Sequence, residues 1–131
     1  MARTNVEDAS NLSVAEVLHK RFDALPADTT VAQVREWFAA SPHRRMAFLA
    51  DNGRYAGSLT RADLEGVPDE QAPAAEFAHD GPTVAPDAAA HVGYELAART
   101  DARRVPAVDA AGNLLGVLAV TDDLAGFCGA S

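Results

Sequence analysis

The chain has 131 residues, 48% of them hydrophobic, and at this length roughly two-thirds of the surface is buried on folding, so one compact unit is expected. Its formal net charge of −8 at pH 7 argues against nucleic-acid binding, because proteins that bind nucleic acids usually carry a basic stripe. No apolar run approaches the roughly 18 residues of a membrane span, and the first residues do not resemble a secretory signal. Cys128 is the only cysteine, which is typical of a reducing compartment. We therefore expect a cytoplasmic protein without membrane contact.

Helix-capping and turn signals divide the first half of the chain into a series of short elements. Ser13 and Glu16 have the spacing of a capping box, and Thr30 and Gln33 repeat it. An Asn-Gly pair between two apolar runs is a strong hairpin signal. In chain order, the sequence predicts a flexible tail over residues 1–12 and a helix over Ser13–Leu18, after which Phe22–Leu25 leads to Pro26. There follow a helix from Thr30 to Ser41, a hairpin of Met46–Leu49 with Tyr55–Thr60, and a short helix over Arg61–Glu65.

The second half repeats this order after a linker at residues 67–73. Asp28–Leu64 aligns on Asp87–Asp123 without a gap, fifty-nine residues apart, so that Gly53 meets Gly112 and Asp63 meets Asp122. The predicted elements are an entry at Thr83-Val84, a helix from Pro86 through Leu96, a hairpin of Val105–Val108 with Leu114–Val120, and a helix from Thr121 to Phe127. Neither half can cover its apolar side alone, so we expect two halves that share one core.

The order and spacing of these motifs resemble the tandem cystathionine-β-synthase (CBS) domain pair, also called a Bateman module. The second copy carries the strand Val105-Pro106-Ala107-Val108-Asp109, and the first carries Gly57-Ser58-Leu59-Thr60-Arg61-Ala62-Asp63-Leu64. The resemblance implies an α/β fold of two β-α-β-β-α repeats, residues 13–66 and 74–131, which pack with pseudo-two-fold symmetry into one compact module.

The resemblance also implies a regulatory function. CBS pairs bind adenosine-containing ligands, such as AMP, ADP, ATP or S-adenosylmethionine, in the cleft between the repeats, and they signal by conformational or oligomeric change, commonly as homodimers. The family's Gly-x-x-Thr-x-x-Asp carboxylate accepts hydrogen bonds from the ribose hydroxyls, and its hydroxyl reaches the ribose or phosphate. Thr60 and Asp63 hold those positions here.

Further ligand contacts are carried over from the family by position. Basic residues before the apolar-Pro strand line the phosphate region, and Arg44-Arg45 and Arg103-Arg104 stand there. The backbone of Asp80-Gly81-Pro82-Thr83 matches the stretch along the adenine. The predicted ligand-binding residues are therefore Thr60, Asp63, Arg44, Arg45, Asp80, Pro82, Arg104 and, in the second copy, Asp122.

Departures from the family pattern keep other interpretations open. Ala119 stands where the first copy has Thr60, so we expect one competent site and a second that is weak or empty. Thr60 and Asp63 also fit a plain helix N-cap, and the arginine pairs and Asp122-Asp123 also fit a solvated surface or a helix start. The alternative function is a ligand-free scaffold for dimerisation or partner docking.

No pattern of residues in the sequence predicts catalysis. The four histidines (His19, His43, His79 and His91) lack the paired spacing of a metal site, Cys128 has no identifiable base partner, and no Gly-rich phosphate loop occurs. We therefore predict no enzymatic activity, no metal and no required cofactor, with an adenine nucleotide or an S-adenosylmethionine-like molecule as ligand and an unknown regulated protein as partner.

Overall fold

A computed structural model describes residues 3–5, 11–18, 24–42, 44–79, 81–100, 102–121 and 123–128. The chain divides into two compact units, residues 23–81 and residues 1–22 with 82–131. The helices and strands are β1 (Arg3–Asn5), α1 (Val14–Val17), β2 (Ala24–Pro26), α2 (Val31–Ala39), β3 (Met46–Asp51), β4 (Arg54–Thr60), α3 (Ala90–Ala98), β5 (Arg104–Val108), β6 (Leu114–Ala119) and β7 (Gly126–Cys128), with 3₁₀ turns at Ala62–Leu64 and Ala74–Phe77.

The unit of residues 23–81 is built on a three-stranded sheet in the order β2-β3-β4. β2 is parallel to β3, and β3 and β4 form the predicted antiparallel hairpin. The turn between them holds Asn52 at φ 51° and Gly53 at φ 86°. A two-residue turn with positive φ at both positions matches the twist of a hairpin, which is why Asn-Gly predicted it correctly.

Helix α2 covers one side of the same unit. Its start has the predicted capping box, in which the Thr30 backbone N–H donates to Gln33 Oε1 at 3.0 Å and the Gln33 backbone N–H donates to Thr30 Oγ1 at 3.3 Å. The helix ends at Ala39, before Pro42, as the sequence predicted. Its inner face joins a cluster of buried side chains: Val31, Val34, Phe38, Ala47, Leu49, Leu59, Leu64 and Ala74.

The segment predicted as a linker is part of this unit. The backbone N–H of Val31, at the start of α2, donates to Ala72 O at 3.0 Å, and the N–H of Ala74 donates to Thr29 O at 2.9 Å. Farther along, His79 forms an antiparallel bridge with Ser58 of β4. The chain after the first repeat therefore stays hydrogen-bonded to that repeat as far as residue 79.

The unit of residues 1–22 and 82–131 contains the second hairpin, β5 with β6, and helix α3. Helices α2 and α3 begin and end fifty-nine residues apart, which confirms the repeat. Helix α1 packs on α3, and Ser13 opens α1 as predicted, with its backbone N–H donating to Glu16 Oε2 at 2.6 Å. The buried cluster here is Val14, Val17, Leu18, Val84, Ala90, Ala97, Val105, Ala107, Leu118, Val120 and Phe127.

Several sequence predictions need correction in this unit. Residues 3–5 are a strand that pairs with β7, so the prediction of a flexible tail is wrong for them. The helix predicted from Thr121 to Phe127 is instead a turn followed by β7, because Leu124 has φ 61° and breaks the helical path. Helix α3 starts at Ala90 rather than near Pro86.

The division of the chain also differs from the predicted one. Residues 13–22 were expected with the first repeat, but they belong to the unit that contains residues 82–131. Each unit has its own cluster of buried apolar side chains. Among the described residues, none of the helices is long and apolar enough to cross a membrane.

Candidate functional site

The candidate site begins where β4 ends, at Thr60 and Asp63. The carboxylate of Asp63, in the 3₁₀ turn, reaches back to the strand end. Its Oδ2 accepts the backbone N–H of Thr60 at 2.7 Å and the Thr60 hydroxyl at 3.2 Å. The N-cap of this turn is Arg61, but the bond from the Thr60 N–H to Asp63 has the same three-residue spacing as the capping bonds of α1 and α2, so the pair fits a helix start as well as a ligand site. The two residues predicted to hold the ribose therefore form one hydrogen-bonded pair.

His79 completes this pair from a distant part of the sequence. Its backbone exchanges two hydrogen bonds of 2.9 Å with Ser58, which places the imidazole Nε2 2.8 Å from Asp63 Oδ1. Gly57, at φ 122°, allows the close approach, since a Cβ there would lie 2.9 Å from the Cβ of Ala78. From sequence, His79 was considered only as a metal ligand, and its contact with Asp63 was missed. Its one sequence signal was its place directly before the stretch Asp80–Thr83.

The electrostatics keep Asp63 ionised. Partial burial raises the pKa of its carboxyl, but the backbone hydrogen bond from Thr60, the hydrogen bond and charge of His79 and the Thr60 hydroxyl together outweigh burial, so the pKa lies below its usual value. The Asp63 side chain is 20% exposed and that of His79 is 67% exposed. The arrangement is a negatively charged hydrogen-bond acceptor. Thr60 donates to its Oδ2, and the exposed imidazole of His79 contacts its Oδ1.

The first arginine pair lies at the carboxyl end of α2. Arg44 Nη1 donates to Trp37 O at 2.6 Å, and its guanidinium lies 4.6 Å from the centre of the Trp37 ring. Arg61 donates to Phe38 O at 2.8 Å from the same side. Cations at this end of a helix satisfy its last carbonyls and its dipole. Arg44, predicted to bind phosphate, thus has a structural role in the described residues, and Arg45 next to it is half-buried.

The second arginine pair repeats this placement in its own unit. Arg103 Nη1 donates to Ala98 O, the last carbonyl of α3, with φ 57° at Arg103. Arg104 Nη1 donates to the carbonyls of Ala102 at 3.0 Å and Arg103 at 3.2 Å. The two copies therefore use the first arginine of each pair to satisfy the end of the preceding helix.

Only some of the other predicted ligand-binding residues lie in the part of the chain that the structure describes. Pro82 is exposed, and Asp80 and Asp122 lie outside the described residues. In the second copy, Thr121 Oγ1 donates to Asp123 Oδ1 at 2.5 Å, and the same oxygen accepts the backbone N–H of Ala125 at 3.0 Å. Thr60 and Asp63 are thus brought together, while the grouping of Arg104, Pro82, Asp80 and Asp122 with them stays a prediction. No group of three His, Cys, Asp or Glu in the described part of the chain could hold a metal ion.

Comparison with solved structures decides the fold. No protein-family model matches the sequence, and no curated protein is significantly similar to it. The CBS-pair domain of a protein from Shewanella oneidensis MR-1 matches with a TM-score of 0.73 and 19% identity over 82% of this chain, which spans 64% of that chain. The chain has the fold of a tandem CBS-domain pair. This confirms the fold that the motifs predicted.

Two other CBS proteins with this fold were solved with AMP. A CBS domain protein from Pyrobaculum aerophilum, complexed with AMP, matches with a TM-score of 0.69 and 27% identity over 82% of this chain and 87% of that one. The CBS-pair protein CBSX2 from Arabidopsis thaliana, in complex with AMP, matches with a TM-score of 0.71 and 19% identity over 86% of this chain and 91% of that one.

Proposed function

We propose that this CBS pair binds an adenosine-containing ligand, an adenine nucleotide or S-adenosylmethionine, with Asp63 and Thr60 on the ribose. The observation that carries the proposal is the ionised carboxylate of Asp63, 20% exposed and held to the end of β4 by two hydrogen bonds from Thr60. The AMP complex of the Pyrobaculum aerophilum protein, 27% identical, supports the choice of ligand class.

The chemistry of the pair suits a ribose diol. A carboxylate has about four lone-pair positions and can accept two hydroxyl protons at once, and hydrogen bonds to an ionised acceptor are roughly twice as strong as neutral ones. Because Thr60 already fixes the orientation of Asp63, little side-chain freedom would be lost on binding. Arg45 and Arg104 are the candidates for the phosphate, Asp80 and Pro82 for the adenine, and Asp122 for a weaker second site.

The proposed module is regulatory and has no catalytic activity of its own. Ligand binding would shift the population of conformations or oligomers, and it can do so only as far as the ligand binds one state more tightly than the other. We expect a homodimer that passes the signal to a regulated protein. A ligand-free docking scaffold is the competing function, and it predicts no adenosine binding at all.

Calorimetric titration with AMP, ADP, ATP and S-adenosylmethionine tests the proposal. Asp63→Asn keeps the shape and removes the charge, and it should weaken AMP binding about 10- to 100-fold, since each hydrogen bond to a charged group contributes about 1.5–3 kcal/mol. Asp28→Asn is the matched control, because Asp28 is an exposed acid of the same unit and its replacement makes the same change in net charge.

The ribose itself supplies a second control. With 2′-deoxy-AMP, the unchanged protein should lose affinity and Asp63→Asn should cause a smaller further loss than it does with AMP, because one of the two contacts between hydroxyl and carboxylate is already gone. Equal effects of Asp28→Asn and Asp63→Asn would contradict the assigned site. No binding of any of the four ligands, together with ligand-free native mass spectra and one stoichiometric protein partner, would establish the scaffold instead.

A further inference from the structure

We propose that His79 competes with the ribose for Asp63, so that its imidazole must leave before an adenosine ligand can bind, and that acidification strengthens this competition. The inference rests on the proposed function and adds a regulator to the same site. Its starting point is the 2.8 Å contact between His79 Nε2 and Asp63 Oδ1, the carboxylate oxygen that Thr60 does not contact.

The number of acceptor positions on Asp63 explains why the two must compete. The carboxylate offers about four lone-pair positions. Among the described residues, Thr60 occupies two through its N–H and hydroxyl, both on Oδ2, and His79 occupies one on Oδ1. A ribose diol needs two, so it cannot bind in full until the imidazole releases Oδ1. Both hydrogen bonds from Thr60 go to Oδ2, so Thr60 leaves Oδ1 accessible to the ribose.

The side chain of His79 can leave without disturbing the fold. Its backbone is fixed by the two hydrogen bonds with Ser58, so only the side-chain torsions have to change. The imidazole is 67% exposed, and its one described polar contact is Asp63. Rotation into solvent therefore breaks one hydrogen bond and uncovers one carboxylate oxygen, while the strand bridge and Gly57 keep the site in place.

The charge of the imidazole sets the direction of the pH effect. A carboxylate only accepts, so Nε2 carries the proton in this contact, whether the ring is neutral or charged. The charged ring forms the stronger bond, and histidine is the side chain that ordinarily changes charge between pH 5 and 8. Adenosine affinity should therefore fall as the pH is lowered.

The other charged groups nearby do not account for such an effect. Asp63 itself stays ionised in this range, because its pKa is already below the usual value. Arg61, from the same turn, keeps its charge and donates to the carbonyls of Phe38, Ser41 and Arg44. Glu65, directly after the turn, is exposed to solvent, which screens its charge.

Adenosine is the probe, since it has no phosphate that would titrate in the same range. At pH 6, His79→Gln and His79→Ala should bind adenosine roughly two- to tenfold more tightly than the unchanged protein, and their affinity should change little between pH 6 and 8, consistent with loss of one hydrogen bond. His91→Gln is the matched control, because His91 is an exposed histidine on α3. With 2′,3′-dideoxyadenosine the gain should disappear, since the competing diol is gone.

The outcomes separate this inference from the proposed function. Tighter binding by the His79 variants, or binding by them alone, supports the competition. Binding that His79 substitution leaves unchanged or weakens overturns the competition and leaves the adenosine site standing. No adenosine or AMP binding by any variant overturns both. A ligand-free readout is the NMR chemical shift of the His79 imidazole at constant pH, which Asp63→Asn should change; an unchanged chemical shift shows that the contact is absent in solution and overturns the inference by itself.

Discussion

Replacement of Gly93 by alanine tests how tightly α1, α3 and β6 pack. Gly93 is buried in the middle of α3, where alanine would ordinarily be favoured over glycine by about 1 kcal/mol of helix propensity. A Cβ at this position, however, would lie 2.5 Å from Leu118 Cδ1 and 3.3 Å from Val14 Cγ2. Both neighbours are fully buried, so neither can turn into solvent.

The balance of these terms gives the expected size of the effect. Forcing an extra methyl into a packed core costs about 1–3 kcal/mol, which exceeds the propensity gain. We expect Gly93→Ala to lower the free energy of unfolding by about 0.5–2 kcal/mol, measured by urea denaturation with an unchanged m-value.

A double-mutant cycle identifies the contact responsible. In a Leu118→Ala background the nearest atom is removed, and Gly93→Ala should then be neutral or stabilising, although Leu118→Ala alone costs about 2–5 kcal/mol. A stabilising Gly93→Ala in the presence of Leu118 would refute the reasoning. Equal effects of Gly93→Ala in the two backgrounds would refute it as well.

Three further predictions concern the site and its supports. Because the folded-state pKa of Asp63 is lowered, its carboxylate stabilises the fold above about pH 5 and loses this effect as the pH falls through the folded value; Asp63→Asn should therefore flatten the acid side of the stability profile measured by urea titration. Gly57→Ala should cost about 1–3 kcal/mol in thermal unfolding, from φ 122° and a Cβ 2.9 Å from that of Ala78. Arg44→Leu should lower the free energy of unfolding by about 0.5–1.5 kcal/mol and shift the fluorescence of Trp37. The substitution removes the hydrogen bond to the Trp37 carbonyl and the cation over the Trp37 ring.

Local signals predicted most of the fold from sequence. The capping box at Thr30 and Gln33, the turn at Asn52-Gly53 and the fifty-nine-residue repeat each depend on residues close together in the chain or on direct comparison of two segments. Such signals act through the backbone geometry of a few residues, so tertiary context rarely overrides them. Helix α2 and the hairpins of both copies were therefore predicted nearly in place.

The predictions that failed involve partners far apart in sequence. β7 forms by pairing with Arg3–Asn5 at the opposite end of the chain, and no local pattern near Gly126 indicates that partner. Thr121 was predicted to start a helix because acids follow it, but the positive φ of Leu124 and the pairing of β7 decide otherwise. Register between distant strands is a global property, which periodicity within one segment does not encode.

The candidate site was predicted in the same uneven way. Thr60 and Asp63 are three residues apart, so local geometry is enough to bring them into contact. His79 reaches Asp63 only because of its bridge to Ser58, which depends on the path of the chain after the first repeat. Arg44 was predicted to bind phosphate because of its charge. The structure shows it donating to Trp37 O near the end of α2, where carbonyls lack partners within the helix.

The differences between the two copies predict how many adenosine ligands each chain binds. The first copy holds an acid that reaches back to a strand-end threonine and is covered by a histidine. In the second copy Ala119 stands at the threonine position and is buried, and Asp123 is engaged in its own turn with Thr121. The second copy therefore lacks the hydroxyl at the strand end that orients the acid in the first copy. We therefore expect one adenosine per chain in calorimetry, and two equivalent sites per chain would show that the second copy binds through residues other than these.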